Sequence, residues 1–232
     1  MNWFTNFLTS SIGRKLIMSL TGLFLILFLV VHLIGNLQLL YSDGGEKFNL
    51  YALFMTSNPL VKTISYGLYA FILIHAFQGW ALWRKNRAAR GPQGYAVKVT
   101  RATGTSAFAA SRMGWLGTII FVFILIHLYQ FWLQMKMGVL DHQVYDGKPV
   151  ADLYTVVNET YKNPGFVLFY VVSMIVIAIH LWHGFQSSFQ TLGLNHRKYT
   201  PFIKAVGKIY SIAIPALFAL IPLYMYFKNA GL

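Results

Sequence analysis

The chain has 232 residues, 56% of them hydrophobic and 11% charged, against roughly 25% charged residues in an ordinary soluble domain, which argues against a soluble enzyme. Its net charge of +13, from 19 Lys and Arg against six Asp and Glu, would suggest a nucleic-acid binder in a polar chain; at this apolar content a membrane accounts for both numbers, and nucleic acid is excluded as a partner. The absence of cysteine excludes disulfides, thiolate zinc sites, iron–sulfur clusters and cysteine nucleophiles, so any redox cofactor must hang on another side chain.

Crossing about 30 Å of hydrocarbon takes roughly 20 apolar residues in helical form. Five stretches qualify, and they predict an all-α polytopic membrane protein, one membrane domain over residues 1–232. Residues 1–13, with Trp3, Phe4 and Phe7, read as an interfacial lead-in. Span 1, 16–40, carries His32 and Gly35; it exceeds a signal h-region and lacks a small-residue cleavage site, so it reads as retained. Span 2, 61–83, carries His75 and Gly79. The following loop, 84–112, holds Arg84, Lys85, Arg87, Arg90, Lys98, Arg101 and Arg112 among Gly91, Pro92, Gly94 and Gly104. It serves either as a retention signal facing anionic lipid or as a docking surface for a soluble partner. Span 3, 113–135, carries His127, followed by Gln130 and Phe131. The longest outer connection, 138–164, contains Asp141, His142, Asp146 and Asp152. Span 4, 165–189, holds His180, His183 and Gly184, and span 5, 205–227, holds Pro215 and Pro222 but no histidine, as a scaffold or lateral wall would.

Charge sets the orientation. Arg14 and Lys15 before span 1, the seven cations of 84–112, and Arg197, Lys198, Lys204 and Lys208 around the start of span 5 have no acid among them. All six acids fall on the other side, beside Lys47, Lys62, Lys136, Lys148, Lys162 and Lys228. The positive-inside rule then puts the N-terminus and basic loops in the cytoplasm and the C-terminus outside.

Of seven histidines, His142 and His196 sit in polar connections, where solvation is the ordinary state. His32, His75, His127, His180 and His183 lie within spans, where ionisable groups are costly and point to function. A single such histidine most often pairs two helices; here four spans each carry one. Helical rise places His32 and His127 about 24 and 21 Å from the cytoplasmic end, and His75 and His180 about 12 and 14 Å. Two imidazoles meeting from different helices at one level are what bis-histidine haem ligation requires. The expectation is a four-helix bundle holding two stacked haems, their levels roughly 7 to 12 Å apart. Gly79 and Gly184 each lie four residues after an inner histidine, leaving a side-chain-free patch for a flat macrocycle; glycines also serve plain helix packing. His180 and His183 share a helix face, so either could reach the haem that His75 ligates. Candidate propionate partners are Arg14, Arg84, Lys85, Arg112, Lys204 and His183 for the inner haem, and Lys62 and Lys136 near the outer level; lipid anchoring explains the same cations. No GxGxxG followed by an acid, P-loop or HExxH occurs, and no acid lies within a span. That disfavours a proton pump or secondary transporter and puts substrate oxidation in a partner.

The segments SIGRKLIMSLTGLFLILFLVVHLIGN, FNLYALFMTSNPLV, FILIHAFQGWALW, FILIHLYQFWLQMKMG and IAIHLWHGFQSSFQTLG, taken in order, resemble the cytochrome b subunit of succinate:quinone oxidoreductase (succinate dehydrogenase and fumarate reductase) in its single-chain, five-helix dihaem b558 form. The resemblance implies that His32 and His127 bind the outer haem b, and His75 and His180 the inner one. It also implies that a flavoprotein and an iron–sulfur subunit dock on the cytoplasmic face of a bacterial inner membrane. Succinate chemistry would lie in the flavoprotein, with electrons passing through both haems to quinone, usually menaquinone, near the outer haem. Alignment through HxxxG and FQSSF places the fourth ligand at His180. An outer quinone pocket would be bordered by the end of span 1, residues 43–58 and the start of span 2, with Glu46 as the nominated acid. Some fumarate reductases of this family use a membrane glutamate near the fourth ligand; here Ala178 and Ile179 precede His180 and span 4 has no acid. Two other readings stay open: the cytochrome b subunit of a hydrogenase or formate dehydrogenase, and a haem-free transporter or structural membrane protein.

Overall fold

The computed structural model describes residues 2–91 and 107–231; Pro92, Gly94, Lys98, Arg101 and Gly104 of the basic loop lie outside the described residues. Helix α1, Trp3–Thr9, stops at Ser10, whose extended backbone separates it from α2, Ser11–Asn36. The Ser10 hydroxyl accepts the Gly13 amide at 3.0 Å, and Gly13 lies so close to the Phe7 carbonyl that no Cβ fits there. A 3₁₀ turn, Leu37–Leu40, extends α2. After it come α3, Glu46–Ser57, and α4, Pro59–Arg90, the latter starting with proline in its first turn behind the capping carbonyl of Asn58. Helix α5, Ala107–His127, passes through a π-helical turn, Leu128–Trp132, into α6, Leu133–Met137. Strands β1, His142–Tyr145, and β2, Lys148–Ala151, precede α7, Leu153–Lys162, α8, Pro164–Thr191, and α9, Thr200–Asn229.

Five helical stretches are long and apolar enough to cross a membrane: Ser11–Leu40, Pro59–Arg90, Ala109–Met137, Pro164–Thr191 and Thr200–Asn229. The architecture is all-α, as the hydropathy predicts, and each helix outruns its apolar stretch. The second span illustrates why: Arg84, Lys85, Arg87 and Arg90 are good helix formers, so α4 continues until Gly91 turns left-handed at φ 71°. Large apolar side chains face outward along the spans, Leu27 at 67% and Ile209 at 68% exposed among them, as a lipid-facing surface requires.

One departure from an unbroken helical reading lies in the outer connection. Residues 142–151 form an antiparallel hairpin in which Tyr145 pairs with Lys148. Its two-residue turn is Asp146-Gly147, both with positive φ (48° and 75°), the turn chemistry that matches strand twist.

The chain divides into two compact units, Met1–Leu27, Leu68–Thr118 and Ile177–Ile212 in the first, and Phe28–Gly67, Ile119–Val176 and Ala213–Leu232 in the second. In the first, Ser19 donates to the Ser188 carbonyl (3.1 Å), Tyr210 donates to the Ile26 carbonyl (2.6 Å), and Gly207 lets the Phe185 ring approach the backbone. Its described charged side chains are all Lys or Arg; the six acids fall in the second unit beside six lysines. In the second unit, α3, the hairpin and α7 close around Asn49, which is fully buried. Its amide nitrogen donates to Tyr145 Oη (3.1 Å) and Asp152 Oδ1 (3.0 Å), and its oxygen accepts the Tyr154 amide (2.9 Å). Asp152 caps α7 through the Thr155 amide and hydroxyl and also accepts from Gln143. Burial alone would raise its carboxyl; the hydrogen bonds from Thr155, Asn49 and Gln143 outweigh that and hold it below the ordinary carboxylate range.

Candidate functional site

The second unit contains His32 of α2 and His127 of α5, with ring centroids 5.8 Å apart. Aromatic rings surround them: Phe28 stacks on His32 at 5.2 Å and Phe218 of α9 lies tilted against it at 5.5 Å, while Phe123 stacks on His127 and Phe131 meets it edge-on at 5.4 Å. Helix α9 thus supplies a wall to this pair. Tyr170 Oη donates to Gln130 Oε1 at 2.7 Å and lies 3.4 Å from His127 Nδ1. A phenol has one proton to donate; with that proton on Gln130, the Tyr170 oxygen is left to accept, which suits the His127 tautomer protonated on Nδ1, with Nε2 as the acceptor nitrogen. The π-helical turn that begins one residue after His127 carries Gln130, and such turns recur at functional positions.

The first unit contains His75 of α4 and His180 of α8, ring centroids 6.3 Å apart. Thr21 Oγ1 lies 3.1 Å from His75 Nδ1, and a Cβ at Gly22 would sit 3.2 Å from its Cε1. Here too Nδ1 is engaged by a neighbouring oxygen, a contact of the kind that orients a ligating imidazole. His180 Nδ1 and His183 Nδ1 are buried without a hydrogen-bond partner. The two glycines after these histidines differ in surroundings: a Cβ at Gly79 meets only the Met18 methyl, at 3.1 Å, and one at Gly184 meets nothing within 4 Å. Gly35 is different again, since the ring of Tyr51 fills the place of its missing side chain; it serves the packing of α3 on α2.

The donor set can be tested against the cofactor that the resemblance implies. Each pair brings two imidazoles from different helices together, with ring centroids 5.8 and 6.3 Å apart, so each could supply two nitrogens to one metal. Among the described residues no group of three or more His, Asp or Glu could hold a bare ion. Two imidazoles alone suit an iron whose remaining positions are filled by a macrocycle. The residues present therefore fit two haems, one per unit.

The remaining candidates are spread out. Glu46 is half-buried in the first turn of α3, behind Gly45 at φ 92° and next to Asp43, which accepts the Gly45 and Lys47 amides. Arg14 Nε donates to the Thr9 carbonyl, Arg84 lies over the Trp80 ring at 4.9 Å, and Lys85 Nζ donates to Ser11 Oγ at 2.8 Å. Lys204 is half-buried at an open groove with His196 and Arg197, while Arg112, Lys62 and Lys136 are exposed. His142 and His196 are exposed, the latter stacked on Tyr199. Sequence reading does not single out Thr21, Tyr170 or Asn49; the one available signal is the polar Thr21-Gly22 step within an otherwise apolar run.

Fold and sites together define an all-α membrane protein with five membrane-length helices and two histidine pairs, one in each unit. No protein-family model, curated protein or solved structure matches the chain.

Proposed function

We propose that the chain is the dihaem cytochrome b membrane-anchor subunit of a succinate:quinone oxidoreductase, lying in a bacterial inner membrane with the N-terminus in the cytoplasm. The observation that carries this reading is the meeting of four span histidines, from four different helices, in two pairs with ring centroids 5.8 and 6.3 Å apart. His32 and His127 would hold one haem b, and His75 and His180 the other. Haem bound at each pair supplies a one-electron carrier that needs no cysteine. The aromatic shell of Phe28, Phe123, Phe131 and Phe218 encloses the first pair, and Tyr170, as an acceptor for Nδ1–H, would favour the His127 tautomer that leaves Nε2 for the metal. Thr21 does the same for His75.

The first unit, with cations and no acid, suits docking of an iron–sulfur subunit and its flavoprotein, where succinate is oxidised. Electrons then leave to quinone, menaquinone by the resemblance, beside the His32–His127 pair, with Glu46 as a proton donor at the polar boundary. The purified chain should show a low-spin b-type spectrum and two haems in a pyridine haemochrome assay; one haem or none would sink the proposal. Assaying the intact complex with succinate, hydrogen and formate separates this reading from a hydrogenase or formate dehydrogenase cytochrome b, and turnover with hydrogen or formate alone would favour those.

A further inference from the structure

Buried polar atoms without a partner are rare in folded chains, because each forfeits its hydration and gains nothing in return. Among the described residues four side-chain atoms are in this state: Gln78 Oε1, His180 Nδ1, His183 Nδ1 and Gln186 Nε2. All four belong to α4 and α8 and to the first unit. Their spacing is regular. Gln78 follows His75 by three residues, His183 follows His180 by three, and Gln186 follows His183 by three, so Gln78 lies on the His75 face and His183 on the His180 face, while Gln186, nearly two turns beyond His180, neighbours His183 instead. The first unit takes the C-terminal halves of both helices, and Gln78 and His183 therefore stand one turn beyond the His75–His180 rings in the same direction. Open space lies at the same level, since a Cβ at Gly184 would meet nothing within 4 Å and one at Gly79 only a flexible methionine methyl. Gln186 itself is 8% exposed. The second unit has no such unmet atom among its described residues.

Resting on the dihaem reading, we propose that Gln78, His183 and Gln186 form a polar subsite for the carboxylate groups of the haem held by His75 and His180. A carboxylate accepts hydrogen bonds only. Gln186 Nε2 is a donor as it stands, Gln78 offers its amide nitrogen after a half-turn of its terminal torsion, and His183 donates from Nδ1 in the matching tautomer. Neutral donors hold the propionates here, while Arg84 stays on the Trp80 face and Lys85 on the Ser11 hydroxyl.

The test uses the whole complex reconstituted with haem carrying ¹³C-labelled propionates. Gln186→Met and Gln78→Met keep side-chain length and remove the donors; Gln186→Asn is a gentler variant should either fail to assemble. Expected are two retained haems, a lowered midpoint potential for the His75–His180 haem alone, and a shift of the labelled carboxylate band in the redox difference infrared spectrum. The potential falls because carboxylates deprived of donors keep more negative charge near the iron and favour its ferric form. Two haems with potential and band unmoved in all three variants would overturn the subsite alone, as would a band shift produced instead by Arg84→Ala or Lys85→Ala. A wild-type complex without haem would overturn the dihaem reading and the subsite with it.

Discussion

Replacing Asn49 by Ala should loosen the cap that positions α3, and with it Glu46. Three hydrogen bonds disappear: those to Tyr145 Oη and Asp152 Oδ1, and the one from the Tyr154 amide. At about 1 kcal/mol net per bond the loss is about 3 kcal/mol, and the residue is too deeply buried for water to replace the partners freely. That corresponds to a roughly 150-fold faster local opening. Hydrogen exchange followed by mass spectrometry on peptides from 46–57 and 141–155 reads this directly, with the exposed Lys47→Ala as control. Exchange faster by less than about threefold, equivalent to roughly 0.7 kcal/mol, would refute the reasoning. A pH arm follows from Asp152. Its folded carboxyl titrates below the unfolded value, so its stabilisation is complete above about pH 4 and is lost as pH falls through the lower folded value. The acid side of a melting-temperature profile should therefore flatten in Asp152→Asn.

Further outcomes follow from the paired sites. His75→Ala or His180→Ala should lose one haem of two and His32→Ala or His127→Ala the other, while His183→Ala keeps both; pyridine haemochrome and electron paramagnetic resonance distinguish these, and loss of a haem on removing His183 would transfer the ligand to that residue. Tyr170→Phe should raise the potential of the His32–His127 haem and leave the other unchanged, because an imidazole whose Nδ1–H loses its acceptor donates less charge to iron; a potentiometric titration with neither wave moved would detach Tyr170 from the site. Glu46→Gln should slow quinone reduction by the complex, and turnover at the wild-type rate would remove its proposed role.

The five long helices are legible because each needs only about 20 apolar residues in a row. Their ends are not, since helix propensity carries α4 through Arg84, Lys85, Arg87 and Arg90 well past the last apolar residue. Depth arithmetic on helical rise foresees which histidines stand at one level, and the rings of His32 with His127 and His75 with His180 do come together. The hairpin turn was in plain view as Asp146-Gly147, yet its strands are too short and too polar to register as an alternating pattern. Asn49 with Asp152 lies beyond any local pattern, because the two are 103 residues apart and meet only when α3 packs beside the hairpin. Gly35, three residues after His32, has no open space, because an aromatic ring from α3 occupies its gap.

The two histidine pairs differ in how far the chain completes them. Around His32 and His127, the protein supplies its own stacking rings and a directed hydrogen-bond chain through Tyr170 to Gln130. Around His75 and His180, it supplies Thr21 for one ring nitrogen and leaves four polar atoms wanting partners beside open glycine positions. A group that binds only the folded chain adds its binding free energy to stability, and the addition is largest where it also satisfies buried polar atoms that lack a partner within the chain. The first unit bears the unmet polar atoms and the excess of cations, so a cofactor bound as proposed would add most to stability there. The second unit, with its acids, its hairpin and its buried Asn49 clasp, meets the buried polar atoms of its described residues from within the chain.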